Sequence, residues 1–382
     1  MSEPMPVLWL CGPPGVGKTT LGWDVFTNLA SEGVPVAYVD IDQLGISYPE
    51  PPDDPDRHRM KTRNLRAVVT NFRHAGARCV IVSGVVDPEL GVDVDELGDV
   101  ALTVCRLRVE REELQRRFLG RGDGREHLEG TLAEADVLDR SRFTDWCLDV
   151  TDLSVSEASR LVRDGFPDLA ALGAAADRPG SRVSSIADDE SAPGFADLPA
   201  FVVCGPKGVG KSTVGWEIYQ QVLGAGVPAS FIDLEQLGFL RPEPFGDRFA
   251  HRMKAENLSA LWRTYSEAGS RFLVVVGPIE CQEAAETYTD ALRGMQVTVC
   301  RLHAGREELT TRILQRGKGM GPRLAGDALI GLARNRLLAI AHEAAAEAEA
   351  LEHAAVGDVR VDTDGRTIAE VAAWVGEITA PR

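Results

Sequence analysis

Two stretches of the chain have the glycine spacing, the lysine and the hydroxyl that a phosphate-binding turn requires. Gly12-Pro13-Pro14-Gly15-Val16-Gly17-Lys18-Thr19 and Gly205-Pro206-Lys207-Gly208-Val209-Gly210-Lys211-Ser212 both satisfy G-x-x-x-x-G-K-[ST], and Thr20 and Thr213 follow them. Glycines let consecutive backbone N–H groups converge on an anion, and the helix that follows adds the positive end of its dipole. The lysine is a mobile cation, while the hydroxyl of Thr19 or Ser212 reaches a Mg2+ ion. A triphosphate fits such a loop.

Acids form the second signature. Asp40-Ile41-Asp42 closes an apolar run, and Asp233-Leu234-Glu235 does the same later in the chain. Two residues apart on an extended backbone, both side chains leave one face. One carboxylate, Asp40 or Asp233, can then hold Mg2+ directly or through water. Its neighbour, Asp42 or Glu235, faces a substrate as a base or as a positioning group.

These residues need strands to end beside them and helices to begin after them. The apolar spacing predicts a strand over 7–11, a helix over about 18–31 and a strand over 35–41. Next come a helix over 57–75, strands over 78–84 and 100–107, a helix over 110–121 and a helical stretch near 126–139. A strand over 146–150 and a helix over 154–163 complete the first half. Strands alternating with helices imply a parallel sheet covered on both faces, an α/β domain of three layers. In such sheets ligands bind beyond the carboxyl ends of the strands, where both signatures stand.

The second half repeats the first. An offset of 193 residues, from Gly12 to Gly205, brings Val39-Asp40-Ile41-Asp42-Gln43-Leu44-Gly45 onto Ile232-Asp233-Leu234-Glu235-Gln236-Leu237-Gly238. It also brings His58-Arg59-Met60-Lys61 onto His251-Arg252-Met253-Lys254, and Asn64-Leu65 onto Asn257-Leu258. A two-residue slip later, Val104-Cys105-Arg106-Leu107 meets Val299-Cys300-Arg301-Leu302. The expectation is a tandem duplication: one domain over 1–165, a second over 199–382, and a flexible linker over 166–198, polar and rich in small residues.

The composition narrows the function. A formal charge of −17 disfavours a general nucleic-acid binder. The 44% hydrophobic content suits two packed cores, and no apolar run is long enough to span a bilayer. With no charged-then-apolar leader at the N-terminus, the expected location is cytoplasmic. The seven cysteines lack C-x-x-C spacing, and Cys11, Cys105, Cys204 and Cys300 occupy matched strand positions, as small buried hydrophobes do.

Together the loops and acid pairs resemble the P-loop small-molecule kinases, the group of shikimate, gluconate, chloramphenicol, adenylylsulfate and nucleoside-monophosphate kinases, over nearly all of each half. The resemblance implies two tandem three-layer P-loop NTPase domains with parallel sheets, using ATP and Mg2+ to phosphorylate a hydroxyl of a small-molecule acceptor. As in shikimate kinases, Asp40 would stand near Mg2+ and Asp42 on the acceptor hydroxyl. Adenylylsulfate kinases have a similar Asp-x-Asp, then a basic helix with Asn-Leu or Asn-Ile, an Ala-Gly, and a strand ending near Ser and Pro. Lys61, Asn64, Ala75-Gly76, Val82-Ser83-Gly84 and Pro88 echo that order, although Lys61 replaces an Arg and that family's lid sequence is absent.

Leu114-Gln115-Arg116-Arg117-Phe118-Leu119-Gly120-Arg121 resembles the start of the lid in adenylate-type kinases. By that resemblance Arg117 packs on the adenine and Arg121 reaches the phosphates, with Arg312 and Arg316 as their counterparts. Arg59, Lys61 and Asn64, matched by Arg252, Lys254 and Asn257, form the expected acceptor wall and favour an anionic or nucleotide-like acceptor. Lys18, Asp42 and Arg121, with Lys211, Glu235 and Arg316, are the expected catalytic set. A different class is also open: a nucleotide-dependent switch whose second domain binds without transferring phosphate. Glu235 in place of an Asp, about 18 extra residues before the last strand of the second half, and an Ala/Glu-rich stretch from Ala341 to Ala355 point that way.

Overall fold

The structure, a computed structural model of the chain, describes residues 3–120, 124–166, 197–320 and 325–379. Its strands are β1 (Met5–Cys11), β2 (Val36–Asp40), β3 (Ser47–Tyr48), β4 (Cys79–Ser83), β5 (Val100–Arg108), β6 (Trp146–Asp149), β7 (Pro199–Cys204), β8 (Ala229–Asp233), β9 (Leu240–Arg241), β10 (Phe272–Val276), β11 (Gln296–His303) and β12 (Val359–Asp362). Helices α1 (Lys18–Ser31), α2 (His58–His74), α3 (Val94–Leu97), α4 (Arg111–Gly120), α5 (Leu128–Arg140) and α6 (Val155–Asp164) belong to the first half. Helices α7 (Lys211–Gly224), α8 (His251–Glu267), α9 (Gln282–Ala291), α10 (Arg306–Gly317), α11 (Arg334–His353) and α12 (Ile368–Thr379) belong to the second. No described helix is long and apolar enough to cross a membrane.

The chain divides into two compact units that interleave in sequence. The first comprises Met1–Gly45, Pro52–Ile186 and Phe239–Met253; the second comprises Ile46–Pro51, Ala187–Gly238 and Lys254–Arg382. Of the expected linker over 166–198, residues 167–196 lie outside the described residues.

In the first unit the sheet runs β6-β5-β1-β4-β2-β9, parallel except for the antiparallel pairing of β9 with β2. Leu8, Trp9 and Leu10 in β1, and Val80, Ile81 and Val82 in β4, are buried at successive positions. Side chains alternate between faces, so both faces of the sheet's centre are covered, which is why these strands read as unbroken apolar runs. The edge is secured by Phe239: its carbonyl accepts from Tyr38 N at 2.9 Å, and its ring meets Trp23 edge-on at 4.8 Å.

The second unit's sheet runs β12-β11-β7-β10-β8-β3, again with one antiparallel edge strand, β3 on β8. Phe231 N donates to Ile46 O at 2.9 Å, and the Ser230 hydroxyl bonds those of Ser47 and Ser270 at 2.9 and 2.8 Å. Each sheet is thus closed by a two-residue strand from the opposite half of the sequence. Two residues carry no periodic signal, and the sequence pattern predicts neither strand. The Ala-rich stretch folds as α11, whose Leu337, Ala341, Ala344, Ala345 and Ala348 join the unit's core.

Candidate functional site

Each glycine-rich stretch turns between a central strand and a helix. A Cβ on Gly12 would stand 2.5 Å from Leu107 O, and one on Gly205 would stand 2.5 Å from Leu302 O. Both residues have φ near +140° (143° and 138°), so only glycine lets the loop leave the strand there. Helices α1 and α7 then begin at Gly17 and Gly210 with no side-chain cap and no acid in the first turn. Their first N–H groups have no partner within the helix, and an anion satisfies them. Lys18 is buried and donates to Gly12 O and Pro13 O at 2.7 and 3.0 Å. Lys211 repeats this at 2.9 and 3.1 Å. Two of three ammonium hydrogens are used, and the third can be directed at a phosphate.

The acids sit directly beyond the loops. Thr19 Oγ1 donates to Asp40 Oδ2 at 3.3 Å, and Ser212 Oγ to Asp233 Oδ2 at 3.0 Å. Strands β2 and β8 end at these aspartates, and short 3-10 turns, Ile41–Leu44 and Leu234–Leu237, follow. The other oxygen of each aspartate caps its turn, accepting from Asp42 N at 3.1 Å or Glu235 N at 2.9 Å. A capped turn, and not the pleat of an extended strand, therefore brings each pair together.

Burial, then the neighbouring Asp42 charge, pushes the Asp40 carboxyl up to about 6; burial and Glu235 do the same to Asp233. Burial pulls the Lys18 ammonium below its usual value. Among the described residues no three His, Cys, Asp or Glu side chains form a metal-binding group. A buried carboxylate beside one hydroxyl nevertheless fits Mg2+, which takes one or two protein oxygens and completes its shell with water and phosphate.

The expected acceptor wall separates into three roles. Lys61 is buried and its Nζ meets Asp42 Oδ1 at 3.1 Å. Its alkyl chain lies against Gly45, where a Cβ would come within 2.7 Å of it, and Lys254 crosses Gly238 in the same way. Asn64 and Asn257 are fully buried and donate to Leu44 O and Leu237 O at 2.7 and 2.9 Å, holding the ends of the acid turns. Arg59 and Arg252 instead turn toward their own loops: Arg59 bonds Asp53, and Arg252 donates to Gly246 O at 3.0 Å.

Of the arginines expected at a lid, Arg117 and Arg312 are engaged with the glycine-rich loops. Arg117 pairs with Glu113 at 2.6 Å and donates to Val16 O, Val150 O and Thr151 O. Arg312 pairs with Glu308 at 2.8 Å and donates to Val209 O and Thr363. These guanidinium edges tie α4 and α10 to the phosphate loops. Arg121 lies outside the described residues. Arg316 pairs with Asp327 and donates to Met320 O. Cys11, Cys105, Cys204 and Cys300 are fully buried, and burial raises every one of these thiols.

Two carboxylates join the sites that the motifs do not mark. Glu134 on α5 is driven above its ordinary value by burial, and the charges of Lys18, Asp42, Asp56 and Lys61 act on it. Glu347 on α11 is likewise raised by burial, with the Lys211 charge acting against the shift, and it accepts from Lys207 N at 3.3 Å. They are counterparts. Asp139 and Glu352 hold the matched Arg106 and Arg301 at 2.9 and 2.6 Å, while Asp145 and Asp358 accept from the matched Val104 N and Val299 N at 2.7 and 2.8 Å. The same 213-residue offset places Glu134 on Glu347. The signal was an acid on the flank of an apolar face, three residues after Thr131 or Ala344 and four before Leu138 or Leu351, all four of which are buried. The long insertion broke the register that would have aligned them.

No family model and no curated protein matches the chain. Among solved structures it is similar to the Deinococcus radiodurans tunicamycin resistance protein, at 16% identity and a TM-score of 0.34, over 48% of this chain and 97% of that one. It is also similar to a gluconokinase from Sinorhizobium meliloti 1021, at 20% identity and a TM-score of 0.30, over 47% of this chain and 89% of the other. The Mycobacterium tuberculosis APS kinase in complex with AMPPNP and APS aligns at 21% identity and a TM-score of 0.29, over 49% of this chain and 99% of the enzyme.

Proposed function

We propose that the chain is an ATP-dependent small-molecule kinase built from two P-loop domains, with the first unit transferring the terminal phosphoryl group to an acceptor hydroxyl. One observation carries this most directly. The line Thr19, Asp40, Asp42, Lys61, linked at 3.3, 3.1 and 3.1 Å, joins the loop's metal-side hydroxyl to an acid 45% exposed, beside a buried phosphate-loop lysine. Phosphoryl transfer asks for this: placement of two partners and neutralisation of the charge between them.

Thr19 and Asp40 would hold Mg2+, which when bound neutralises phosphate oxygens. Lys18, held by its own loop carbonyls, directs its third hydrogen at the phosphates. Asp42 orients the acceptor hydroxyl and accepts its proton, and Lys61 fixes the carboxylate for that task. Glu134 adds a third acid to the wall, so the acceptor meets mixed charges there. The test is transfer from γ-labelled ATP into a metabolite extract, with separation of the labelled product. Label confined to inorganic phosphate would overturn the kinase assignment.

A second reading, a nucleotide-binding regulatory unit without transfer, draws support only in the second half. There Glu347 accepts a hydrogen bond from the phosphate loop itself, Lys207 N to Oε2 at 3.3 Å.

A further inference from the structure

The two phosphate loops differ at one backbone hydrogen. Lys207 has an N–H and donates it to Glu347; the matched residue in the first loop is Pro14, which has none to donate. Glu134, the counterpart of Glu347, therefore cannot be latched to its loop in this way.

The latch is held by a rigid element. Glu347 projects from a helix whose neighbouring residues Ala344, Ala345, Ala348 and Leu351 are all buried, with Arg301 bonding Glu352 at 2.6 Å just beyond. Its carboxylate accepts from the loop's first limb at 3.3 Å, and it feels the charge of Lys211, the cation that serves the outer phosphates in such loops. The groups that serve the inner phosphates and the metal stand further along the motif: the start of α7 and the Ser212–Asp233 pair.

From this, and resting on the nucleotide-site reading above, we infer that the second unit's loop selects a nucleoside diphosphate over a triphosphate, with Glu347 standing in for the terminal phosphate. A carboxylate anchored to the loop offers Lys211 and Lys207 N the negative charge and acceptor oxygen that a γ-phosphate would supply. A triphosphate must displace it and a diphosphate need not. The second unit then reads the diphosphate product of the first unit's reaction, and its site is a sensor of nucleotide state.

The experiment uses the full chain carrying Lys18→Ala, so that the second loop alone gives the calorimetric signal, which added Lys211→Ala removes. MgADP should bind about tenfold or more tightly than Mg2+ with a non-hydrolysable triphosphate analogue. Glu347→Gln keeps the side chain's shape without its charge, and Glu347→Ala keeps the helix while removing the carboxylate. Both should tighten the analogue and bring the two affinities within about threefold, with ADP nearly unmoved. A preference for the triphosphate in the Lys18→Ala chain, or equal shifts of both nucleotides in the Glu347 variants, overturns the inference and leaves the site intact. Failure of both nucleotides to bind in the Lys18→Ala chain and in its Glu347 variants instead overturns the reading of the second loop as a nucleotide site.

Discussion

The two acid turns are built alike and surrounded differently. In both, an aspartate at a strand end accepts from a loop hydroxyl and caps a 3-10 turn, and a buried asparagine secures the turn's last carbonyl. In the first unit the second acid is Asp42, paired with Lys61, and its loop carries Pro14. The second unit has the longer Glu235, and its loop donates through Lys207 N to a glutamate of its own chain. The bond from loop hydroxyl to strand-end aspartate and the capped turn after it are common to both; the surroundings of the second acid and of the loop's first limb are not. A scaffold that repeats while its reactive end diverges is what two related sites with different tasks would show.

The comparison breaks most visibly at the lysines. Lys18→Ala should reduce transfer from γ-labelled ATP by about 10³-fold, because the lysine neutralises charge that grows during transfer. Lys211→Ala should leave the initial rate within about threefold when product is scarce. Equal losses in the two variants would make the units equivalent catalysts.

Asp42→Asn comes next, with a loss of about 10²-fold in transfer and nucleotide affinity near normal by calorimetry, since shape is kept and basicity removed. Unchanged turnover would hand proton acceptance to another group, Glu134 first.

The sheet edges offer a structural contrast of smaller size. The first edge rests on Phe239 among Trp23 and Tyr38; the second rests on the hydroxyl chain Ser47, Ser230 and Ser270. Phe239→Ala should cost about 2 kcal/mol of stability in denaturant unfolding, for lost aromatic contact and area. Ser47→Ala should cost about 1 kcal/mol, the ordinary net worth of one hydrogen bond. The reverse order would show that the hydroxyl chain dominates. Smallest of all, Glu235→Asp should raise any transfer by a Lys18→Ala chain only a few-fold, because Glu347 still holds the loop. A large gain would put the second unit's difference at the acid and not at Glu347.

The loops, the acid pairs and the alternation of strands with helices were legible because each is a local pattern. Spacing within a few residues decides whether backbone N–H groups can converge, and apolar period decides whether a segment is strand or helix. Lys61 was also legible, as a basic residue repeated in both halves. Its partner was not, because the run of an alkyl chain over Gly45 to reach Asp42 depends on how α2 packs. Arg117 is singled out on the sequence as a residue to pack on the adenine, whereas the atoms it holds, Val16 O and the carbonyls after β6, are distant in sequence.

By itself, then, the sequence determined two glycine-rich loops, two acid pairs beside them and the strand-helix alternation that brings them to one end of a sheet. Only the tertiary structure decided which glutamate lies within reach of each loop lysine's charge and which half of the chain supplies each sheet's edge strand. The physical reason is the same in both cases. Helical period says that Glu134 and Glu347 flank a buried face but not what that face meets, and a two-residue strand has no period at all, so its partner is chosen by the edge it can bond.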